Sequence, residues 1–352
     1  MTIGIFLPYG LGDLIVATPM LRAIREHFGP EARLVGITRP YLADVLSGTG
    51  WLDEQWLFNP RAQQRESRDW PLVRRMHQER FDTVLLLPNS FRATVLAWLG
   101  GAKQRVGYVR YGRGALLTNK LDWPHRNGRV SDYSLVDHYL KLAEAIGCPP
   151  GATHLQLATL EKDEQSADGV WNSLGLRADG RVVLLSAGGA REAAKFWPVK
   201  HSGDLARRLA GEMDCDVLVM CGPNQRQTAQ DIVLRADHPR VFSMADQPLD
   251  LGTAKACIRR GRLMISNDSG IRFIAAAFGK PVITLLGPML PAWNDLPVIR
   301  SVNLHLDLDC IGCQNRVCPL RHHRCMQDLS VDMVYGEAAK LLEESLAACA
   351  AA

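Results

Sequence analysis

Short apolar runs alternate with longer stretches of helical periodicity through the first part of the chain. The runs at 3–7, 33–38 and 83–87 have the apolar, partly β-branched composition of buried strands. The stretches at 14–28 and 90–99 carry apolar residues at helical spacing. Because strands that alternate with helices form βαβ units, the pattern predicts a parallel sheet covered by helices.

The same alternation restarts after a less regular stretch at 148–180. Strands are predicted at 181–185, 216–221, 263–266 and 281–286, and helices at 271–278 and 331–348. We therefore predict an α/β fold with two Rossmann-like domains facing a cleft, and a domain boundary near residue 165. Open parallel sheets bind ligands beyond the carboxyl ends of their strands, so the loops at these ends are the candidate site.

The composition is that of an ordinary globular protein, with 47% hydrophobic and 22% charged residues among 352. A formal net charge of +4 is too small to indicate a nucleic-acid partner. The basic residues do form three clusters, which are either solvated faces or contacts for an anionic partner such as a phosphorylated sugar or a membrane surface. The clusters are Arg74, Arg75, His77 and Arg80; Lys103, Arg105, Arg110 and Arg113; and Arg316, Arg321, His322, His323 and Arg324.

The cellular location is predicted from segments that the sequence lacks. The chain starts directly with the strand-like run at 3–7, without the features of a signal peptide. No uninterrupted apolar stretch is long enough for a membrane span. We expect a cytoplasmic protein.

Two polar turns follow predicted strands at equivalent places in the two halves. Gly10–Asp13 precedes the first helix, where Asp13 is either a helix cap or a carboxylate able to take a proton from a hydroxyl group. Asn267–Gly270 precedes the helix at 271–278, where backbone N–H groups attract phosphate unless the turn only caps the helix. A third loop runs from Ser186 to Lys195, a lysine that is either a surface residue or the partner of a diphosphate.

Four of the nine cysteines lie within sixteen residues near the carboxyl terminus. Their spacing can form a tetrahedral site for structural zinc or iron, although it is not that of a standard zinc finger. Free or redox-labile thiols are the alternative. The four are Cys310, Cys313, Cys318 and Cys325.

In several short motifs the chain resembles glycosyltransferase family 9, the bacterial ADP-heptose:lipopolysaccharide heptosyltransferases, and within it the heptosyltransferase II branch. The order and spacing of the motifs make the resemblance specific, and it covers nearly the whole chain. The motifs are Gly10–Pro19, Leu87–Arg92, Lys195–Pro198, Asn267–Gly270 and Leu286–Pro288.

The resemblance implies a GT-B fold, with an acceptor domain at 1–165, a nucleotide-sugar domain at 166–330 and a carboxyl-terminal helix at 331–352. It implies inverting transfer of a heptose or related sugar from an ADP-sugar to a lipopolysaccharide inner-core acceptor, with no catalytic cofactor. Peripheral association with the inner membrane is compatible with such an acceptor, and nucleic acid is not expected as a partner.

The resemblance also assigns residues to roles. Asp13 matches the proposed general base, and Lys195 matches the residue that contacts the donor diphosphate. The other expected donor-side residues are Ser186, Asn267, Asp268, Ser269, Gly270 and Gly287, and the expected acceptor-side residues are Gly12, Asn89 and Arg92. Some family members bind iron through a similar carboxyl-terminal cysteine cluster.

One departure from the family pattern follows the Asn267–Gly270 turn. Phe273 occupies the position where the family usually has histidine, and Arg272 is an additional cation that either faces a phosphate or points to solvent. The departure leaves the identity of the donor open. A nucleotide-sugar epimerase on the same fold, or a non-catalytic sugar-nucleotide binder, are the alternative functions.

Overall fold

The computed structural model divides the chain into two compact units, Met1–Ala158 and Thr159–Ala352. The predicted boundary at residue 165 lies within a helix, Glu161–Leu174, that belongs to the second unit. The structure describes residues 1–64, 68–123, 125–126, 129–130, 134–186, 188, 193–289 and 300–350.

The first unit is built on a sheet of six parallel strands in the order β3-β2-β1-β4-β5-β6, which is the strand order of a Rossmann fold. Ile3, Ile5, Val84 and Leu85 in the two central strands are fully buried, as expected for a parallel sheet covered on both faces. The strands are β1 (Thr2–Phe6), β2 (Arg33–Thr38), β3 (Glu54–Leu57), β4 (Thr83–Leu86), β5 (Gln104–Tyr108) and β6 (Asn119–Leu121).

Helices connect these strands. The single helix predicted at 14–28 is in fact two, because the chain turns at Ala17 and Pro19 lies at the start of the second helix, where its missing N–H is tolerated. The helices are α1 (Leu11–Val16), α2 (Thr18–Phe28), α3 (Asp69–Glu79), α4 (Phe91–Leu99) and α5 (Leu135–Glu144). A two-stranded antiparallel ribbon joins β7 (His125–Arg126) to β8 (Arg129–Val130).

The second unit repeats this plan, with six parallel strands in the order β11-β10-β9-β12-β13-β14. The strands are β9 (Val182–Ser186), β10 (Asp216–Met220), β11 (Val241–Ser243), β12 (Leu263–Asn267), β13 (Val282–Leu285) and β14 (Ser301–Leu304). The helices are α6 (Glu161–Leu174), α7 (Val199–Glu212), α8 (Arg226–Ala236), α9 (Leu251–Arg260), α10 (Ile271–Ala277), α11 (Arg324–Gln327) and α12 (Val331–Ala350).

The predicted α/β class with two Rossmann-like domains is confirmed. In each sheet the strand order reverses beside the first strand, between β1 and β4 and between β9 and β12. Ligands of such folds bind outside the carboxyl ends of the strands at this reversal. Within the described ranges, no helix is long and apolar enough to cross a bilayer.

Candidate functional site

In the second unit, Lys195 and Asp268 form an ion pair beside the reversal point. Lys195 lies at the end of a short 3-10 turn, Ala193–Lys195, and Asp268 follows β12 directly. The Lys195 Nζ to Asp268 Oδ2 distance is 2.9 Å, and the two side chains are only 15% and 12% exposed. Two of the predicted donor-side residues are therefore in direct contact.

Arg272 is a second cation on the same carboxylate. Its guanidinium donates to Asp268 Oδ1 at 3.0 Å, so the two carboxylate oxygens face different cations. The side chain is 1% exposed and lies 4.2 Å over the Phe273 ring. Burial lowers the pKa of Arg272, and the charge of Asp268 opposes that shift. The alternative that Arg272 points to solvent is wrong.

Asn267, the last residue of β12, contacts the backbone of the turn that carries Lys195. Its Nδ2 donates to the Lys195 carbonyl at 3.1 Å. Its Oδ1 is buried and has no hydrogen-bond partner among the described residues, which leaves one acceptor for a ligand or water. Ser186 and Gly188 line the same small recess as Asn267. Gly189, in the predicted loop from Ser186 to Lys195, lies outside the described residues.

The remaining donor-side residues have local structural roles. Ser269 hydrogen-bonds to Ser266 at 3.0 Å between their hydroxyls, and Gly270 is the N-cap of α10. Gly287 is buried after β13, and a Cβ there would lie 2.7 Å from Met326 Sδ and 3.1 Å from Cys325 Sγ. Close packing thus explains the glycine at 287, and its contact with the donor remains a prediction.

In the first unit, Asp13 lies at the carboxyl end of β1, as the third residue of α1. The N-cap of this helix is Gly10. Asp13 therefore does not cap the helix, which was one of the two roles predicted for it from the sequence. Its carboxylate packs against Gly10, where an added Cβ would lie 2.8 Å from Asp13 Oδ2, and the residue is exposed. Burial and the negative charge of Asp13 raise the pKa of the neighbouring Tyr139 well above its usual value.

Beyond β4, a buried arginine organises the predicted acceptor-side loop. Arg113 is fully buried, so neither interpretation of its basic cluster, a solvated face or a contact for an anionic partner, applies to this residue. Its guanidinium donates to the carbonyls of Tyr108 and Pro88 and, at 2.8 Å, to Asn89 Oδ1. Burial lowers the pKa of Arg113 to about 10. Arg113 therefore positions Asn89, and it does not face an acceptor.

Two other predicted residues on this side are accessible. Gly12 lies in the first turn of α1, next to Asp13, and is half-buried. Arg92 is 57% exposed and pairs with Asp69 at 3.3 Å.

The four clustered cysteines line one pocket together with His322 and His323. Burial and the neighbouring cysteines raise the pKa of the Cys325 thiol. In the described part of the chain, however, no three His, Cys, Asp or Glu side chains are arranged to hold a metal ion. The donor chemistry fits zinc or iron, and a bound ion would require the thiols to draw together.

These features support binding of a doubly charged phosphate group in the second unit and proton removal in the first. Lys195 and Arg272 supply two positive charges against one carboxylate, so the cluster has a net charge of +1. The buried role of Arg272 was missed from the sequence. The signal for it was its position in the first turn of α10, only four residues after Asp268 in the preceding turn.

Three comparisons bear on the identity of the chain. It is 22% identical over 352 residues to lipooligosaccharide heptosyltransferase 2 of Campylobacter jejuni, covering 98% of this chain and 99% of that protein. A glycosyltransferase family 9 structure from Veillonella parvula matches with a TM-score of 0.81, 21% identity and 97% coverage of both chains. The iron-containing heptosyltransferase TibC of Escherichia coli, solved with ADP-D-β-D-heptose, matches with a TM-score of 0.54 and 16% identity over 97% of this chain and 77% of that one.

A family model agrees with these relatives. The model of glycosyltransferase family 9 (heptosyltransferase) matches residues 68–323, which is more than half of the chain. The matched segment contains Lys195, Asp268 and three of the four clustered cysteines, Cys310, Cys313 and Cys318. The protein therefore belongs to glycosyltransferase family 9.

Proposed function

We propose that this protein transfers a heptose from an ADP-sugar to the inner core of lipopolysaccharide, with inversion at the anomeric carbon. Relatives named as heptosyltransferases support the sugar and acceptor classes, and the TibC complex supports ADP as the carrier. The observation that carries the proposal is the Lys195–Asp268 pair at the strand-order reversal of the second unit, since a glycosyl diphosphate needs a cation at such a place.

The proposed reaction is a single displacement. The acceptor hydroxyl oxygen attacks the anomeric carbon and forms the new glycosidic bond, while the bond from that carbon to the diphosphate oxygen breaks. The hydroxyl proton passes to the Asp13 carboxylate, and ADP leaves with the electron pair. A positioned general base contributes a factor of about 100 to 10,000 to such a step.

On the donor side, the Lys195 ammonium group would leave its ion pair with Asp268 and form one with the diphosphate. Arg272 stays paired with Asp268, so the carboxylate keeps a counter-charge when Lys195 turns to the ligand. Developing negative charge on the leaving ADP is then stabilised by a fixed cation in a partly buried site. We propose that the donor lies in the recess lined by Ser186 and Asn267 and is also surrounded by Ser269, Gly270 and Gly287.

On the acceptor side, Gly12, Asn89 and Arg92 are the proposed contacts. Arg113 fixes the Asn89 amide through its oxygen, which leaves the NH₂ group to donate to a sugar hydroxyl or phosphate. Arg92 supplies an exposed positive charge for an anionic acceptor. A lipid-linked acceptor also implies that the enzyme works at a membrane surface, the cytoplasmic face of the inner membrane.

We further propose that the four cysteines hold a structural zinc or iron ion, as the iron content of TibC suggests by analogy. Their sulfur donors suit either metal, and the ion would stabilise the loop without entering the reaction. Metal analysis of purified protein should find about one ion per chain. Metal-free protein of unchanged stability would contradict this part of the proposal.

The proposed transfer can be tested by mass spectrometry of products from a panel of nucleotide sugars with a truncated lipopolysaccharide acceptor. We expect one added heptose, only when both ADP-heptose and acceptor are present. Incubation with donor alone separates this activity from epimerisation, which would alter the donor without any acceptor. Donor binding with no transfer to any acceptor would favour a non-catalytic binder.

A further inference from the structure

The solvent-facing side of α4 is apolar. Phe91, Trp98 and Leu99 are 52%, 51% and 41% exposed, and Val95 lies half-buried between them. These positions recur at helical spacing and so form one stripe, while Ala93, Leu96 and Ala97 on the opposite side are buried in the core of the first unit. A folded enzyme that exposes two aromatic rings on one helix has an apolar surface for a partner.

The neighbouring helix α3 extends this surface. The ion pair between Asp69 and Arg92 joins the first turns of the two helices. At their other ends, Met76 packs against Gly100, so the helices run side by side. Trp70 in the first turn of α3 is 74% exposed.

The charge of this region is positive. Seven Lys or Arg residues and three Asp or Glu residues lie between 68 and 105. Each of the three acids is already paired with a cation: Asp69 with Arg92, Glu79 with Arg33, and Asp82 with Lys103. Arg74, on α3, is exposed. Since Arg92 is paired with Asp69, Arg74 is the arginine of this surface that has no ion pair among the described residues. The surface thus combines exposed aromatic rings with a net positive charge.

We propose that the α3–α4 surface, defined by Trp70, Arg74, Phe91, Arg92, Trp98 and Leu99, docks on an anionic lipid bilayer. Aromatic rings favour the headgroup level of a membrane, and basic side chains are attracted to anionic lipids. A second copy of this chain is disfavoured as the occupant, because a two-fold contact would oppose two positive faces. The inference rests on the proposed function: α4 begins just after Asn89, so the surface adjoins the proposed contacts for a lipid-linked acceptor.

Vesicle sedimentation of the full chain tests this proposal. We expect binding to phosphatidylglycerol-containing vesicles that weakens with salt, and little binding to pure phosphatidylcholine. The double variant Phe91→Ser/Trp98→Ser should bind about tenfold or more weakly, since it loses two interfacial anchors. The matched control is Leu234→Ser on α8, where an 80% exposed leucine lies in the second unit, and it should bind like wild type.

Three results would overturn the proposal: no vesicle binding by wild type, unchanged binding by the double variant, or a wild-type dimer that the double variant converts to monomer. An unchanged unfolding midpoint shows that the double variant is folded, as expected for two exposed side chains. Transfer to a lipid-free core oligosaccharide should be unaffected by the double substitution. Absence of that transfer in all proteins would refute the proposed function and leave the vesicle result standing.

A separate set of contacts links the cysteine loop, residues 310–325, to the Lys195 turn. The Ala194 N–H donates to the Arg316 carbonyl at 3.2 Å, and the Ala194 carbonyl accepts from His323 Nε2 at 2.5 Å. Ala194 is 4% exposed and lines the pocket of the four cysteines. The loop is anchored in turn by the Gln314 N–H, which donates to the Pro288 carbonyl at 2.7 Å.

The geometry points to the cysteine loop as a positioning element for Lys195. The loop binds both polar backbone groups of the residue before Lys195, and Asn267 holds the carbonyl of Lys195 itself. Whatever joins the four thiols would therefore fix the backbone from which the Lys195 side chain extends. Loss of the link between the four thiols would let the Ala193–Lys195 turn relax. Diphosphate binding would then weaken, although the cysteine loop does not contact the ligand.

Calorimetric titration with ADP, together with hydrogen exchange, tests this coupling. In Cys310→Ser/Cys313→Ser we expect the dissociation constant for ADP to rise about fivefold or more, as when a supporting contact to a metal or ligand site is lost. Exchange at residues 194–195 should accelerate. Val317→Ala, a 71% exposed position in the same loop that does not line the pocket of the four cysteines, is the matched control and should change neither quantity.

His323→Ala provides a second test that keeps all four thiols. It removes the donor to the Ala194 carbonyl, so ADP affinity should fall and exchange at 194–195 should accelerate as in the cysteine variant. Unchanged ADP affinity in both variants, with faster exchange confined to 310–325, would overturn the inference. Failure of wild type to bind ADP would instead refute the proposed donor site, while the exchange data would still report on the coupling.

Discussion

At the residue scale, Asp268 is the centre of the proposed donor site. One carboxylate holds two cations of different burial, since Lys195 is 15% exposed and Arg272 only 1%. The more accessible cation is able to change partners, and the buried one is not. In the proposed function, this division leaves Asp268 with a buried counter-charge when Lys195 turns to the diphosphate.

Lys195→Ala should raise the dissociation constant for ADP about tenfold or more, because a hydrogen bond to a charged group contributes about 1.5–3 kcal/mol. Lys200→Ala is the matched control, since it removes the same charge from an exposed position on α7. Isothermal titration measures both variants. Equal affinities for the two variants would exclude Lys195 as the diphosphate contact.

Arg272→Met should reduce the free energy of unfolding by about 2 kcal/mol, because a buried carboxylate loses one of its two charged partners. Arg272→Lys should reduce it less, because it keeps the charge while losing the contact with the Phe273 ring. Chemical denaturation measures both changes. If both variants were as stable as wild type, the buried ion pair would have no structural role.

At the scale of elements, the strands with apolar runs were predictable and the polar ones were not. The central strands β1, β4, β9 and β12 are buried on both faces and therefore leave continuous apolar runs in the sequence. Edge strands such as β3 and β14 contain polar residues and are only half-buried, so no run marks them. Helix α6 was also missed, because its acid-rich first turns hide a narrow apolar stripe.

Two glycines of the second unit provide a contrast between a loop and a helix. Gly188 has a φ of +131°, and a Cβ there would lie 2.3 Å from the Phe196 ring. Gly188→Ala should therefore reduce the free energy of unfolding by about 2 kcal/mol. Gly169→Ala on α6 should raise it by about 1 kcal/mol, because the added Cβ meets no atom within 4 Å and alanine favours the helix.

Scanning calorimetry of both glycine variants checks this contrast. We expect opposite shifts of the unfolding temperature, downward for Gly188→Ala and upward for Gly169→Ala. A neutral Gly188→Ala would mean that the loop beside the donor recess adapts without strain.

At the scale of the whole molecule, the repeated Rossmann topology could be inferred from the alternation of strands and helices. The contacts that complete the sites could not, because they join segments far apart in sequence. Asn89 meets Arg113 across 24 residues, Lys195 meets Asp268 across 73, and Ala194 meets His323 across 129. Local periodicity carries no information about such pairings.

The stability of the first unit should depend on pH through His138. This residue is 5% exposed and stacks on Tyr108 with ring centroids 3.8 Å apart. Burial lowers its pKa to about 4, and the nearby positive charges of Arg110 and Arg113 act in the same direction. In the unfolded chain the imidazole has its ordinary pKa of about 6.5. Between about pH 6.5 and 4, His138 is therefore neutral in the folded protein and becomes protonated on unfolding. The free energy of unfolding consequently falls as the pH falls through this range.

The expected loss across this window is up to about 3 kcal/mol. Denaturation at a series of pH values measures it, with His138→Phe as the comparison because that variant keeps a buried ring without the titrating nitrogen. The variant should lose less stability than wild type between pH 6.5 and 4. Parallel curves for the two proteins would show that His138 does not titrate on unfolding.

The most direct measurement of the proposed chemistry is the rate of heptose transfer by Asp13→Asn, compared with its affinity for ADP. The substitution keeps the shape that packs against Gly10 and removes the base. We predict that transfer slows by about 100-fold or more while the dissociation constant for ADP stays within about twofold of wild type. Transfer at the wild-type rate by a folded Asp13→Asn enzyme would contradict the account.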